Sequence, residues 1–393
     1  MKYYFVIYLC NFLDLTIGAG IFPLLPVYAA QFGAKPGLIG IYLACANFAI
    51  ALGSIFGGWL SDHVQKRKLL YILCTLSDIP LFFLAGRVTS IVQLIVITAI
   101  LWFTGGIKLT VLSTLLGLYA KKSKRRQAFL ILTITTALGV IVGGLTFGPI
   151  ADKWSYTQLF NIISVSFIVL LVIAFFLREI NVKKISVKSS INLVSKKFSK
   201  NFYILILINT IIWVAAEISF VGRSIIMNTL NFSSTDISHT GAIGAIVSIP
   251  ILLILNRVIR HFSHKKLLVL ALFIEVIFLI ILGNSWILWH FWAVSILMGI
   301  FDNLTRATGQ ALVTDIIPKQ SFGKGLAFLA SSMWIGFAFG ALIIGFGIEK
   351  YGLTYPFYFS VLLPIVAFII LLRLKTELPH LLPPLLKSNK ESI

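Results

Sequence analysis

One pattern occurs twice in this chain at an interval of 197 residues, and it constrains the fold more than any other feature of the sequence. Each copy is an apolar, helix-length stretch with spaced glycines that ends in an acid, a base and an aromatic residue. The first copy contains Gly139, Gly143, Gly148, Asp152, Lys153 and Trp154, and the second contains, in the same order, Gly336, Gly340, Gly345, Glu349, Lys350 and Tyr351. The same interval separates Asp78 from Glu275, so these two acids occupy equivalent positions in the repeat. We therefore expect two halves with similar folds.

The chain is too apolar to fold as a water-soluble protein. Its 393 residues are 59% hydrophobic and 12% charged, and its mean hydropathy is +0.99. A chain of this kind has more apolar surface than a soluble fold can bury, so we expect it to lie in a lipid bilayer. Apolar stretches long enough to cross the bilayer are predicted near 3–30, 37–60, 69–86, 91–118, 127–150, 157–177, 202–230, 237–256, 267–284, 287–316, 325–347 and 354–372.

The predicted fold is an all-α membrane protein in which twelve transmembrane helices form two pseudo-symmetric six-helix bundles. The first bundle is expected to span residues 1–178 and the second residues 202–373. Between them, residues 179–201 are rich in lysine and serine and predict a cytosolic basic linker. Residues 374–393 are expected to form a cytosolic tail.

The distribution of basic residues predicts the orientation in the membrane. Of the 33 Lys and Arg residues, Lys35, Arg87, Lys153 and Lys350 are the ones expected on the side opposite to Met1. Because basic loops stay in the cytosol, both termini are predicted to be cytosolic, with the protein in the cell membrane. The net charge of +20 is explained by this topology and by attraction to anionic lipid headgroups, and the scattered basic loops argue against nucleic-acid binding.

Few residues suggest metal binding or catalysis. The cysteines, Cys10, Cys45 and Cys74, all fall within apolar helices, so no disulfide framework is predicted. His261 and His264 have helical spacing but lie in a basic loop without a carboxylate or cysteine nearby. The chain also shows no nucleophile and base set, so we expect no metal, no cofactor and no enzymatic activity.

Several ionisable side chains are predicted to lie at membrane depth. They are the acids Asp14, Asp78, Glu217, Glu275 and Asp302 and the bases Lys108, Arg223 and Arg306. Each costs roughly 2.5–3.5 kcal/mol there, so each needs a partner or a function. Asp14, Glu217 and Asp302 fall in the middle third of the bilayer and are the candidate proton carriers, unless interhelical hydrogen bonds simply satisfy them. Asp302 and Arg306 are four residues apart and can form an ion pair on one helix face.

The remaining membrane-depth groups have simpler interpretations. For Asp78 and Glu275, a role in packing or folding is favoured. Lys108 lies nearer the cytosolic end of its helix, where its long side chain could reach the headgroups. Arg223 could likewise reach the outer interface.

The segment after the second apolar stretch resembles the signature of the major facilitator superfamily. That signature runs Gly, any residue, Leu, any residue, Asp, and then basic residues, and it is matched here by Gly58, Leu60, Asp62, Lys66 and Arg67. The resemblance extends over essentially the whole chain, since the family also has twelve helices in two repeats. It implies that Gly58, Asp62, Lys66 and Arg67 form a cytosolic gate motif that favours the outward-open state.

Within that superfamily, the chain most resembles the twelve-helix drug/proton antiporters of the Gram-positive multidrug efflux type. Gly139, Gly143, Gly144 and Gly148 match the glycine-rich motif of the fifth helix, where small residues allow close helix packing. Glu217 and Asp302 resemble the paired acids that couple protons in those pumps. With Asp14, they form the predicted proton-coupling set.

By the same resemblance, the first, fourth, seventh and tenth helices are expected to line a central cavity. The expected cavity residues are Asn11, Trp102, Lys108, Trp213, Phe220, Asn303, Arg306, Gln310 and Trp334. The implied function is proton-driven export of small amphipathic or cationic compounds by alternating access, with protons, lipids and a small-molecule substrate as partners and a monomer as the working unit. Two alternatives are proton-linked movement of a sugar, organic acid or lipid-linked glycoside, and a non-transporting membrane sensor or scaffold.

Overall fold

Within the residues that the structure describes, twelve helical segments form the fold, as the sequence predicts. The computed structural model describes residues 2–64, 66–120, 124–179, 198–258, 262–317 and 322–373, so most of the predicted linker and the whole tail lie outside the described residues. The first six segments are α1 with α2 (Lys2–Ile21 and Leu25–Ala30), α3 (Pro36–Val64), α4 (Arg67–Ala85), α5 (Ile91–Tyr119), α6 (Arg125–Trp154) and α7 (Tyr156–Ala174). The second six are α8 (Lys200–Thr229), α9 (Ser234–Val258), α10 (His264–Gly283), α11 (Leu288–Ile316), α12 (Phe322–Tyr351) and α13 with α14 (Tyr355–Ser360 and Leu362–Leu372).

Eleven of these segments are long and apolar enough to cross a membrane by length and composition alone. The remaining one, α11, has 29 residues but a lower apolar content, because it carries Asp302, Asn303, Arg306 and Gln310. We call the side on which α1 begins and α14 ends the basal face, and the opposite side the distal face. The helix α11 therefore has the length of its neighbours, although polar side chains interrupt its apolar sequence from its midpoint onward.

Two predicted helices are broken in the structure. The stretch predicted at 3–30 changes to a 3₁₀ turn at Phe22–Leu24 before α2 begins. Pro23 and Pro26 explain the break, since each lacks a backbone N–H and its ring crowds the carbonyl four residues earlier. The stretch predicted at 354–372 is interrupted at Val361, three residues before Pro364.

The repeat in the sequence corresponds to a repeated contact. In the first bundle, the Asn11 amide donates to the Leu132 carbonyl (3.3 Å) and the Thr135 hydroxyl (3.1 Å), which joins α1 to α6. In the second bundle, the Asn209 amide donates to the Leu329 carbonyl (3.2 Å) and the Ser332 hydroxyl (2.8 Å), which joins α8 to α12. The acceptors are 197 residues apart, so the duplication preserved how the first and fifth segments of each half attach to each other.

The repeated glycines allow two kinds of close approach. A Cβ added at Gly143 would stand 2.8 Å from Gly20 Cα, so α1 and α6 touch along their backbones within one bundle. A Cβ added at Gly345 would stand 2.7 Å from Gly40 Cα, and this contact joins α12 to α3 of the other bundle. The glycines of the repeat therefore allow close packing of helices both within a bundle and between the two bundles.

Two glycines on α1 give a matched test of this packing. A Cβ at Gly20 would stand 2.6 Å from Gly143 Cα, whereas a Cβ at Gly18 would meet nothing within 4 Å. We expect Gly20→Ala to lower the free energy of unfolding by about 1–3 kcal/mol through overpacking. Gly18→Ala should leave it unchanged or raise it by up to about 1 kcal/mol, because alanine favours the helix.

Unfolding of the purified protein by titration with a denaturing detergent measures both changes. Equal effects of the two substitutions would contradict the proposed contact between α1 and α6.

Candidate functional site

Two acids join the bundles at the distal face by capping helices of the opposite bundle. Asp152, at the end of α6, accepts hydrogen bonds from the backbone N–H groups of Ser234 (3.0 Å) and Thr235 (2.8 Å), where α9 begins. Glu349, at the end of α12, accepts one from the N–H of Gly37 (2.8 Å), where α3 begins. A carboxylate at a helix N-terminus satisfies otherwise unpaired N–H groups and interacts favourably with the helix dipole. The acids of the sequence repeat thus hold the two bundles together at one face.

An aromatic layer lies beneath these caps. The ring of Phe22, in the 3₁₀ break, stacks on Trp102 of α5 with ring centroids 6.2 Å apart. It also contacts Phe220 of α8, with centroids 5.3 Å apart. Since Phe22 and Phe220 belong to different bundles, the layer spans the boundary between them. The proline break explains its position, because it turns Phe22 toward the opposite bundle.

Glu217 lies between the bundles near the middle of the membrane. Its Oε1 accepts a hydrogen bond of 2.8 Å from the Asn47 amide of α3, and its residue is 3% exposed. Asn47 is eleven residues from the distal end of α3, or about 16 Å along the helix, which corresponds to the bilayer centre. None of the ion pairs within the described ranges includes Glu217. A carboxyl in such a place is stable when it is neutral or when a cation binds beside it.

Asp302 and Arg306 form the ion pair that their spacing predicts. Arg306 Nε lies 2.9 Å from Asp302 Oδ1, and the two side chains are 45% and 43% exposed. The guanidinium lies over the Trp213 ring of α8, 4.7 Å from its centroid, and contacts Met333 of α12. The pair therefore lies on the side of α11 that faces α8 and α12, below the level at which the bundles are joined.

A third ionic cluster is buried inside the first bundle. Lys108 Nζ is 2.5 Å from Asp14 Oδ1 and 2.7 Å from Asp78 Oδ2. The Tyr71 hydroxyl donates to Asp14, and the Thr104 hydroxyl donates to Asp78 (2.6 Å). Lys108 does not reach the headgroups, because two carboxylates bind its ammonium group in the core of the first bundle. The Asp14, Lys108 and Asp78 side chains therefore form one buried ionic network that joins α1, α4 and α5.

The other expected cavity residues divide into two groups. Asn11, Trp213 and Asn303 are buried, and their polar atoms bond within their own bundle; Trp213 Nε1, for example, donates to Asn209 (3.1 Å). Gln310 is exposed and Trp334 is partly exposed, so these two remain accessible in this conformation. Arg223 does not reach the distal interface, because its side chain is buried and bonded to Ser295.

The gate motif lies at the basal end of α3 and the start of α4. Gly58 is within α3, which continues to Val64, and Lys66 is exposed just before α4. Arg67 is buried, and its Nε donates to the Ser61 hydroxyl (2.9 Å). The Asp62 side chain lies outside what the structure describes.

Several residues at these sites are absent from the sequence-based expectations, and Asn47 and Tyr71 are two of them. Asn47 is the partner of Glu217, and Tyr71 is a donor to Asp14. An asparagine inside the apolar stretch 36–61 is itself a signal of a buried hydrogen bond, and it could have been noticed. Tyr71 gives no such signal, since tyrosines are common in membrane helices.

Comparisons with known proteins agree with this architecture. The model of the Major Facilitator Superfamily matches residues 4–225 and 202–392. The Multidrug resistance protein MdtG of Salmonella arizonae is 25% identical over 340 residues, which cover 82% of this chain and 83% of the relative. The MdtG protein of Salmonella choleraesuis matches to the same extent.

Three solved structures share the fold at low sequence identity. The nucleoside transporter NupG has a TM-score of 0.75 at 13% identity, over 95% of this chain and 98% of that chain. A POT family transporter in complex with 5-aminolevulinic acid has a TM-score of 0.78 at 13% identity, over 94% of each chain. A bacterial homolog of the human lysosomal transporter Spinster, in an inward-facing and unoccupied conformation, has a TM-score of 0.74 at 13% identity, over 95% and 96%.

Proposed function

This chain belongs to the Major Facilitator Superfamily and is a membrane transporter, and from that premise we propose that it exports small amphipathic or cationic compounds in exchange for protons. The observation that carries the proposal is Glu217, a carboxyl without a cationic partner in the described residues, placed on the boundary between the two bundles. A group at this boundary changes its surroundings whenever the bundles rock, so it can take up a proton in one state and lose it in the other.

The conformation is consistent with a transporter open toward the basal face. The capping acids and the aromatic layer join the bundles in the distal half, whereas the Asp302 and Arg306 pair is exposed and begins at the midpoint of α11, further from the distal face. By the positive-inside rule, the basal face is the cytosolic one. The state is therefore one in which a cytosolic compound can enter, beneath a closed outer side.

Exchange would follow from competition for the carboxylates. A cationic compound entering from the basal side is attracted to ionised Glu217 and Asp302, although at Asp302 it must compete with Arg306. After the distal side opens, protons from outside neutralise the acids and the compound leaves. Asp14, held by Lys108 and Tyr71, provides a further protonation site in the first bundle. The names of the MdtG relatives, which are multidrug resistance proteins, support the export of drug-like compounds.

One observation favours a second candidate. Arg306 is 45% exposed in the same region and could hold an anionic group, which fits proton-linked movement of an organic acid. Thermal unfolding in the presence of lipophilic cations, glycosides and organic acids separates the two functions, because a ligand raises the unfolding temperature of the state that it binds.

The proposed exchange has a direct test. Candidate lipophilic cations are added to the detergent-purified protein in a weakly buffered solution that contains a pH-sensitive dye. A cation that binds to the carboxylates displaces their protons, so we expect saturable acidification. An uncharged analogue of the same shape is the control and should release fewer protons. Binding of the cations without any proton release would contradict coupling, and the same compounds can then be tested for flux in proteoliposomes.

A further inference from the structure

Arg223 of α8 is a buried base that the proposed exchange does not use. Its residue is 2% exposed. Nη1 donates to the Ser295 hydroxyl of α11 (2.6 Å) and lies 4.0 Å from the Met298 sulfur. The guanidinium carbon is 5.1 Å from the centroid of the Phe220 ring. Arg223 is six residues from the distal end of α8, or about 9 Å, and its backbone is one helical turn distal to Phe220 of the aromatic layer.

The unpaired nitrogens of Arg223 form one edge of the guanidinium group. Nε and Nη2 are both buried, and neither has a hydrogen-bond partner among the described residues. Their N–H bonds point in parallel from the same side of the planar group, which is the geometry that binds the two oxygens of a carboxylate or of a similar oxyanion. Because Ser295 binds Nη1, it fixes the plane and leaves this edge free.

The charge of Arg223 also lacks a counter-ion. Of the three bases at membrane depth, Lys108 has two carboxylates and Arg306 has one, whereas no ion pair in the described ranges contains Arg223. An arginine remains charged in proteins, and an uncompensated charge away from water is strongly unfavourable. A charge of this kind, kept in a membrane helix, points to a ligand that supplies the missing anion.

We propose that the free edge of Arg223 is a binding site for the carboxylate of a small ligand with an apolar body. Phe220 and Met298 beside the guanidinium provide the apolar contact, and Ser295 provides the orientation. The site becomes accessible from the distal side when the capping acids release the opposite bundle. The carboxylate can belong to a transported compound or to an anion of the external medium. The site does not depend on proton coupling.

Benzoate is a suitable probe, because it combines a carboxylate with an apolar ring. Thermal unfolding of the detergent-purified full chain is measured at constant ionic strength with increasing benzoate, and benzamide serves as the uncharged control of the same shape. We expect a saturable rise in the unfolding temperature with benzoate and none with benzamide. The same rise with both compounds, or none with benzoate, would overturn the proposal.

Variants assign the effect to Arg223. Arg223→Lys keeps the charge but cannot bind two oxygens side by side, so the apparent affinity for benzoate should fall at least tenfold. Ser295→Ala removes the orienting hydroxyl and should weaken the apparent affinity for benzoate several-fold. This variant tests the site independently of whether Arg223→Lys folds. Arg87→Lys, at an exposed arginine outside the proposed site, is the matched control and should respond like the wild type. An unchanged response of Ser295→Ala and Arg223→Lys would reject the site.

Flux measurements identify the source of the carboxylate. In proteoliposomes, benzoate movement that depends on Arg223 would make the site part of the path of a transported compound. Saturable binding without movement would make it a site for an external anion. A failure to release protons with lipophilic cations would concern the proposed exchange and not this site.

Discussion

Replacing Glu217 with glutamine is expected to reduce substrate-driven proton movement to the background level while the protein stays folded. Glutamine has nearly the same shape, and its carbonyl can still accept the hydrogen bond from Asn47 (2.8 Å in the native protein). It cannot, however, bind or release a proton or carry a negative charge. The substitution therefore removes the chemistry of the side chain and keeps its contact between the bundles.

Proteoliposomes with an internal pH indicator measure this effect. Asp302→Asn should have a similar effect on coupling, and because Asp302 is partly exposed the variant should fold like the native protein. Glu275→Gln is the matched control, since Glu275 is fully buried on α10 of the same bundle and is not at the boundary between bundles. Coupling that survives in Glu217→Gln, or that is lost equally in Glu275→Gln, would refute the assignment.

Replacing Lys108 with methionine is expected to lower the free energy of unfolding by about 3–5 kcal/mol, because it leaves two buried carboxylates without a cation. Asp14 and Asp78 are both within 2.7 Å of the ammonium group, and both are almost completely buried. The loss should be partly reversed when Asp14→Asn and Asp78→Asn are added, since amides carry no charge.

The pair of Asp302 and Arg306 provides the comparison for this second prediction. Because it is exposed, Arg306→Met should change the free energy of unfolding by about 0–1 kcal/mol. Titration with a denaturing detergent measures all the variants on one scale. A Lys108→Met protein as stable as Arg306→Met would show that the buried cluster is not an ionic one.

Local features of the fold could be read from the sequence. Apolar length gives the twelve segments, even for α11 with its charged residues, because the hydrocarbon core sets a minimum length that the chain must meet. The i, i+4 spacing of Asp302 and Arg306 gives their ion pair, since helix geometry alone brings the two side chains together. These inferences need no knowledge of how the helices pack.

Contacts between distant helices could not be read in the same way. Lys108 has the length to reach the headgroups, and only the packing of α1, α4 and α5 places Asp14 and Asp78 beside it. Likewise, nothing in the residues near Glu217 indicates Asn47, which is 170 positions away. Asn11 and Asn303 are polar enough to line a cavity, but their amides are bonded to neighbouring helix backbones. The direction of a side chain on a helix that is apolar all round is set by packing.

The two distal caps also bear on how the closed side can open. Asp152 joins α6 to α9 and Glu349 joins α12 to α3, and each acid accepts hydrogen bonding from the other bundle's backbone. A rigid rotation of one bundle against the other must break the hydrogen bonds of both caps at the same time. Each hydrogen bond to a charged group stabilises the joined state by about 1.5–3 kcal/mol, so the cost of breaking both caps is paid in one step. Breaking only one of the two caps would require a bundle to bend. The close packing at the glycines resists such bending. Opening is thus expected to be all-or-none, with an exit that widens symmetrically and without a one-sided lateral cleft.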